Sequence, residues 1–185
     1  MPSTRSLAVS VAVAAHLALV GCTDGPEGLG LSKSKSADAW ALSLGDRVPD
    51  ASEAATVGAL AERIERGHDG FARLVRCSSP DVVFKDEEGT GADRMMTPRL
   101  RSALLRLAPL VAREWPDLRL RVTEAWDEKH EHGPNSIHYE GRAADLTTSD
   151  VDPRKLGRLS RLAVEARLDW VFYEDPSHIH VSVRR

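Results

Sequence analysis

Two short stretches carry residue types that could do metal chemistry. Ser136-Ile137-His138-Tyr139-Glu140-Gly141-Arg142-Ala143-Ala144-Asp145 places a histidine seven residues before an aspartate, with Gly141 at a turn between them. Near the C-terminus, His178-Ile179-His180 follows Glu174. Along a strand, a period of two turns both imidazoles of a His-x-His to one face. Glu174 ends the preceding strand, across a short turn from that pair. Two imidazoles and one carboxylate make a three-ligand set that leaves the fourth position of zinc open, as in catalytic rather than structural sites. A separate glutamate nearby is what a metal-activated water needs to lose its proton at neutral pH. Singly, each piece is also what an ordinary surface or core histidine would give.

A second constellation is acidic. Asp86-Glu87-Glu88, Asp93, Glu124 and Asp127-Glu128 fall in two loops that follow strands. Clustered loop carboxylates are a calcium signature, and solvated surface charge has the same pattern.

The elements that must position these residues are readable from periodicity. Ala54 to Arg66 reads as a helix, with Val57, Leu60 and Ile64 on one face, and Gly70 to Arg76 as a second helical turn. Val82–Phe84 is a short strand. Thr97 caps a long helix with Pro98 at its first position, and Leu100, Leu104, Leu107, Val111 and Trp115 form its apolar stripe. Pro109 inside that helix predicts a kink or a split. Leu118–Thr123 alternates as a half-buried strand, and Ala143–Thr147 is another. A third helix opens at Asp152-Pro153, with a stripe of Leu156, Leu159, Leu162, Ala163 and Ala166. Trp170–Tyr173 and Ile179–Val183 form a C-terminal hairpin. Strands and helices interleave without βαβ regularity, so the class is α+β: a small mixed sheet with two main helices packed on one face.

Composition bounds the rest. The 185 residues suit one domain, and 42% hydrophobic with 29% charged residues is globular. A net charge of -3 excludes a general polyanion binder, so no nucleic-acid partner is expected. Two cysteines, Cys22 and Cys77, are too few for a disulfide scaffold or a cysteine-built zinc site. Residues 1–21 read as an export leader with one charge, Arg5, and an apolar run from Leu7 to Val20 that is short for a membrane span. The run ends in Leu19-Val20-Gly21-Cys22, which looks like a bacterial lipobox with Cys22 as an acylated N-terminus. Residues 22–39 form a Gly-, Ser- and Pro-containing tether, and 40–185 the folded domain. The expected location is the cell envelope through a lipid anchor in the membrane, otherwise the extracellular space.

Residues 82–97 (VVFKDEEGTGADRMMT), 120–128 (LRVTEAWDE), 137–150 (IHYEGRAADLTTSD), 161–174 (RLAVEARLDWVFYE) and 178–183 (HIHVSV) together resemble the hedgehog N-terminal signalling domain, over roughly Asp46 to Arg184. The resemblance implies a two-layer sandwich of two main helices on a mixed sheet, with a zinc site and a two-calcium site beside it. It implies His138, Asp145 and His180 as zinc ligands and Glu174 in the position of the zinc-water base. His132 and His178 match histidines lining the same cleft. Glu87, Glu88, Asp93, Glu124 and Asp127 match the calcium ligands. Lys129 stands where the family has a further aspartate ligand, which predicts one calcium ion rather than two. The basic run after the mature cysteine is absent, with only Lys33 and Lys35 in the tether, and the chain ends at Arg185 without a Gly-Cys-Phe junction, which predicts no cholesterol attachment.

The motif Ser136 to Asp145 is also similar to that of bacterial D-alanyl-D-alanine carboxypeptidases. Together with an envelope lipoprotein this points to a zinc metallopeptidase, of carboxypeptidase or endopeptidase type, acting on cell-wall stem peptides. In that reading Glu174 is the general base, and His178 or His132 stabilises the oxyanion. The alternative is a non-catalytic hedgehog-type module, in which zinc is structural and the metal face binds a protein partner.

Overall fold

The computed structural model describes residues 41–185. The leader at 1–21, the acylation site Cys22 and the tether at 22–39 lie outside the described residues.

Eleven regular elements follow in chain order: β1 (Arg47–Val48), α1 (Glu53–Val57), β2 (Val75–Arg76), β3 (Val82–Phe84), β4 (Met95–Met96), α2 (Pro98–Glu114), β5 (Leu120–Glu124), β6 (Ala143–Thr148), α3 (Leu156–Glu165), β7 (Trp170–Asp175) and β8 (His178–Ser182). Six strands form one sheet in the order β1-β7-β8-β6-β5-β3, and β2 pairs with β4 in a small ribbon. Only β3 and β5 run parallel; the other pairings in the large sheet are antiparallel. The expected mixed sheet with helices is present.

Strand alternation divides the sheet into two faces. Leu120 and Val122 of β5, Ala144 and Leu146 of β6, Val171 of β7, and Ile179 and Val181 of β8 share one buried core. To it α2 contributes Leu100, Leu104, Leu107 and Val111, and α3 contributes Leu156, Leu159 and Leu162. Each fully buried aliphatic side chain contributes on the order of 1.5–3 kcal/mol, so this layer dominates stability. Residues one position along, Asp145 and His180 among them, therefore project from the opposite face. Cys77 is fully buried in the same core, and burial pushes its pKa up.

Two local expectations are corrected. Helix α2 is continuous through Pro109, which sits on the exposed side of the helix, next to Leu105 one turn back, away from the core stripe. The first helix stops at Val57 instead of running to Arg66. Gly58 leaves helical space at φ 86°, and a buried ion pair then holds the chain extended. Arg142 is 2% exposed and Glu140 6%, and their side chains pair directly. Arg142 Nη1 donates to Val57 O at 2.9 Å and Val183 O at 3.0 Å, and Nη2 to Gly58 O at 3.2 Å. Glu140 Oε1 accepts the amides of Ala61 at 3.0 Å and Glu62 at 3.2 Å. These bonds capture backbone groups that a longer helix would have used internally, so tertiary contacts override helix propensity there.

Burial alone would raise the Glu140 pKa, but the Ala61 amide and the Arg142 guanidinium outweigh it and hold the carboxyl below its usual range. Replacing Arg142 with Ala leaves that carboxylate buried with the half-exposed Arg185, at 3.2 Å, as its remaining cation, and strands the carbonyls of Val57, Gly58 and Val183. The expected loss is about 3–5 kcal/mol of unfolding free energy in a urea titration. A loss under about 1 kcal/mol would mean that the pair does not hold the 58–64 segment.

Candidate metal-binding site

The register of the sheet lines up the site. Glu124 pairs with Asp145, Asp145 with His180, and His180 with Phe172, so these four residues form a row across β5, β6, β8 and β7. A bulge between Val122 and Glu124 puts Glu124 opposite Asp145, where regular pairing would put Thr123. His138 enters from a single 3-10 turn, Ile137–Glu140, capped by the Ser136 hydroxyl. Gly141 ends the turn at φ 62°, where a side chain would also meet Leu74 at 2.8 Å. The turn delivers His138 to the polar face just before β6 begins.

Three donor atoms converge there. His138 Nε2 lies 3.2 Å from His180 Nδ1 and 3.4 Å from Asp145 Oδ1, and His180 Nδ1 lies 3.0 Å from Asp145 Oδ1. Tetrahedral zinc with bonds of about 2.05 Å separates its ligand atoms by ~3.3 Å, so the triangle has the right size for that ion. The outer ring nitrogens are held as metal ligands require. His138 Nδ1 donates to Ala125 O at 2.7 Å, which leaves the Nε2 lone pair facing inward. His180 Nε2 faces Glu53 Oε1 at 2.8 Å. The residues fit a zinc ion that would polarise whatever occupies its fourth position.

Glu53 is the residue that sequence reasoning missed. It lay one residue before the stretch read as a helix, 127 positions from His180, and no local spacing links the two. It lines the same cleft of about 390 Å³ as His132, Trp170, Phe172 and Glu174.

The other expected site residues are present around the same cleft. His132 Nδ1 bonds Asp127 Oδ2 at 2.8 Å, and its Nε2 faces Asp145 Oδ2 at 3.8 Å while the ring stacks on His138. His178 Nε2 sits 3.3 Å from Glu174 Oε2 and 3.6 Å from Asp145 Oδ2. The Glu174 carboxylate is half-exposed at the mouth, 3.9 Å from His180 Nδ1.

The acidic face adjoins this cleft. Glu88, Asp93, Glu124 and Asp127 line one crevice, together with Glu128, Lys129 and Glu131. Glu87 is not in its lining; its carboxylate turns to Lys85 at 2.6 Å. Lys129 Nζ reaches within 3.8 Å of Glu88 Oε1. Asp93 is nearly buried, and desolvation with the neighbouring Glu88 and Asp86 raises its pKa to about 6. Asp127 already accepts the amides of His130 and His132.

A family match follows the same residues. The model of the hedgehog amino-terminal signalling domain matches residues 22–182. The chain belongs to this family. Indian hedgehog protein of Gallus gallus is 54% identical over 122 residues, covering 66% of this chain and 30% of that protein. Sonic hedgehog protein of Danio rerio is 55% identical over 122 residues, covering 66% of this chain and 29% of that protein. Protein hedgehog of Drosophila pseudoobscura pseudoobscura is 48% identical over 159 residues, covering 85% and 33%. The chain thus spans about a third of the length of these relatives.

Membership corrects the metallopeptidase reading. A hedgehog domain is a signalling module, and the matched relatives are named as hedgehog proteins, not as hydrolases. His132 and His178, the expected oxyanion donors, aim at the carboxylates of Asp127, Asp145 and Glu174.

In the metal-free domain, protons on these rings balance the carboxylates. The facing Asp145 carboxylate and the bond to Asp127 raise His132 to about 9 against the opposing effect of burial. His180 is raised to about 10: burial works against it, but Asp145 and Glu53 prevail. Folded values above the usual 6.5 mean a stability contribution fully present below about pH 6.5 and lost as pH rises through 9–10. Thermal unfolding of the domain in chelator should therefore give a melting temperature that falls between pH 7 and 10. His180→Asn should flatten that fall; an unchanged slope would contradict the assignment.

Proposed function

We propose that this chain is an exported, non-catalytic hedgehog-type ligand whose metal face binds a protein partner. The observation that carries the reading is the family match over residues 22–182, which takes in the whole metal face. In this reading His138, Asp145 and His180 hold one Zn²⁺ that fixes β6, β8 and the 137–140 turn relative to one another. The cleft walls, with Trp170, Phe172 and Glu174 at the rim, then form a preorganised surface. Glu88, Asp93, Glu124 and Asp127 hold one Ca²⁺ beside it. What supports the zinc assignment is the triangle of donor atoms. What supports a calcium ion is the packing of carboxylates around the costly buried charge of Asp93.

The test is a pair of measurements on the same zinc-loaded protein: turnover of a mixed peptide library, and zinc-dependent binding to surface proteins of its own source cells. Saturable binding that chelator abolishes, with no turnover, supports the ligand reading. Peptide cleavage lost in Glu174→Gln would overturn it. Metal content by mass spectrometry should be close to one zinc per chain, falling about tenfold or more in His138→Ala or His180→Ala. At a hundredfold excess over Kd the ion would add about 2.7 kcal/mol of stability, which both variants should lose.

For calcium, a titration followed by melting temperature should show one event. Asp93→Asn removes a charge that the fold holds at a cost while keeping an oxygen for the Asp86 amide, which now bonds Asp93 Oδ2 at 2.7 Å. That variant should melt higher than wild type in chelator and gain nothing from calcium. Lys129→Asp should produce a second event, because a cation beside Glu88 is replaced by another carboxylate. Two equal tight events in the unaltered protein would contradict the role given to Lys129.

A further inference from the structure

We infer that Glu53 is a positioning residue for the metal cleft, accepting the Nε2 hydrogen of His180 so that Nδ1 faces His138 and Asp145, and thereby linking metal occupancy to the docking of α1. The inference rests on the reading that His138, Asp145 and His180 hold zinc.

The two imidazoles of the triangle are supported differently. His138 is held by a backbone carbonyl, Ala125 O, which follows directly on β5. His180 has no such fixed acceptor. Among the described residues, the group within hydrogen-bond distance of its Nε2 is the Glu53 carboxylate, at 2.8 Å. Trp170 packs edge-on against the ring at 5.8 Å and offers no acceptor. Glu174 approaches at 3.9 Å on the Nδ1 side, where the metal would sit. If Glu53 is removed, Nε2 loses its acceptor, and the Nδ1–H tautomer, which blocks the metal-facing lone pair, is no longer disfavoured. Outer-shell acceptors of metal-bound histidines are typically worth about 10- to 100-fold in metal affinity.

The link to α1 follows from how little else holds that helix. Five residues are far too few for an isolated helix in water. Its attachments are the buried Val57 side chain, the Arg142 bond to Val57 O, the Arg184 Nε–H bond to Thr56 O at 2.9 Å, the Trp170 Nε1–H bond to Ala51 O at 2.9 Å, and the Glu53 contact itself. Glu53 is the one of these that also touches the donor triangle. An ion that immobilises His180 should therefore also restrain α1, and by reciprocity a loosened α1 should weaken the ion.

The test uses the mature chain with Glu53→Ala, Glu53→Gln and Glu53→Asp. Zinc affinity is measured by competition with a chromophoric chelator, and the unfolding of each metal-free protein is recorded alongside. Glutamine keeps the oxygen in reach and should bind zinc within about threefold of wild type. Alanine should weaken zinc about 10- to 100-fold. Aspartate keeps the charge but withdraws the carboxylate by one methylene, so it should resemble alanine and also serves if the alanine variant does not fold. In hydrogen exchange, zinc should slow the amides of residues 54–58 in wild type and in Glu53→Gln, and leave them unchanged in Glu53→Asp. A purely structural role would lower the melting temperature of the metal-free variants without moving zinc affinity, and that result overturns the inference. Equal weakening in Glu53→Gln and Glu53→Ala would also overturn it, since it would assign the effect to charge instead of the hydrogen bond. A wild-type chain that binds no zinc would instead refute the ligand reading.

Discussion

Asp145 and His180 face one another across β6 and β8, and the rest of the site depends on that pairing. A slip of one residue would carry both side chains through the sheet into the core beneath α2 and α3. There they would meet Leu146, Ile179 and Val181 packed against the helices. Burying a carboxylate and an imidazole among aliphatic side chains costs several kcal/mol, so the slipped register is excluded. The hydrophobic layer thus selects the register, and the register places the donors. Core and site are two faces of one alternation.

The polar face carries an opposite burden. Glu53, Glu124, Asp127, Asp145 and Glu174 crowd around four imidazoles, His132, His138, His178 and His180, that contact one another or the same carboxylates. Asp145 is held well below the usual carboxylate range: burial opposes this, and His138, His132 and His180 overcome it. Its ionisation is therefore secure, and the cations that balance it are protons on His132 and His180 when no metal is bound. A divalent ion among His138, Asp145 and His180 would take over that role and release protons, so affinity for the ion must rise with pH until the rings are neutral. The 58–64 segment closes one side of the same face through Arg142 and Glu140, and the Trp126 indole donates to Ile64 O at 3.1 Å. The metal face is thus bounded by chain that secondary-structure propensity alone would have wound into helix.

This is where sequence reasoning stopped short. The hydrophobic stripes of α2 and α3 and the β7–β8 hairpin were legible because burial imposes a period that local residues must obey. The grouping of His138, Asp145 and His180 came from the family resemblance; residue spacing alone offered a His–Asp stretch and a separate His-x-His near Glu174. Glu53 was not legible, because its partner is set by the docking of a short helix on a distant strand. The bulges in β5 and β7 were not either: each shifts pairing by one residue, and no local residue type announces it. The helix expected to reach Arg66 failed for the same reason, since Glu140 and Arg142 act on it from the other side of the molecule.

The open fourth position and the nearby Glu174 invited a catalytic reading, and the same inventory serves a binding surface. Hydrolysis asks more than an inventory. It needs a base aimed at a metal-bound water and a donor aimed at the developing oxyanion, both waiting with free capacity. Here Glu174 bonds His178, and His132 Nδ1 bonds Asp127, which itself organises the 127–132 loop through the His130 and His132 amides. These contacts stabilise the shape of the face. Such mutual commitment suits recognition, where a surface that does not rearrange loses less entropy when a partner arrives. A site can therefore keep the residue types of an enzyme while its hydrogen bonds are arranged for a ligand.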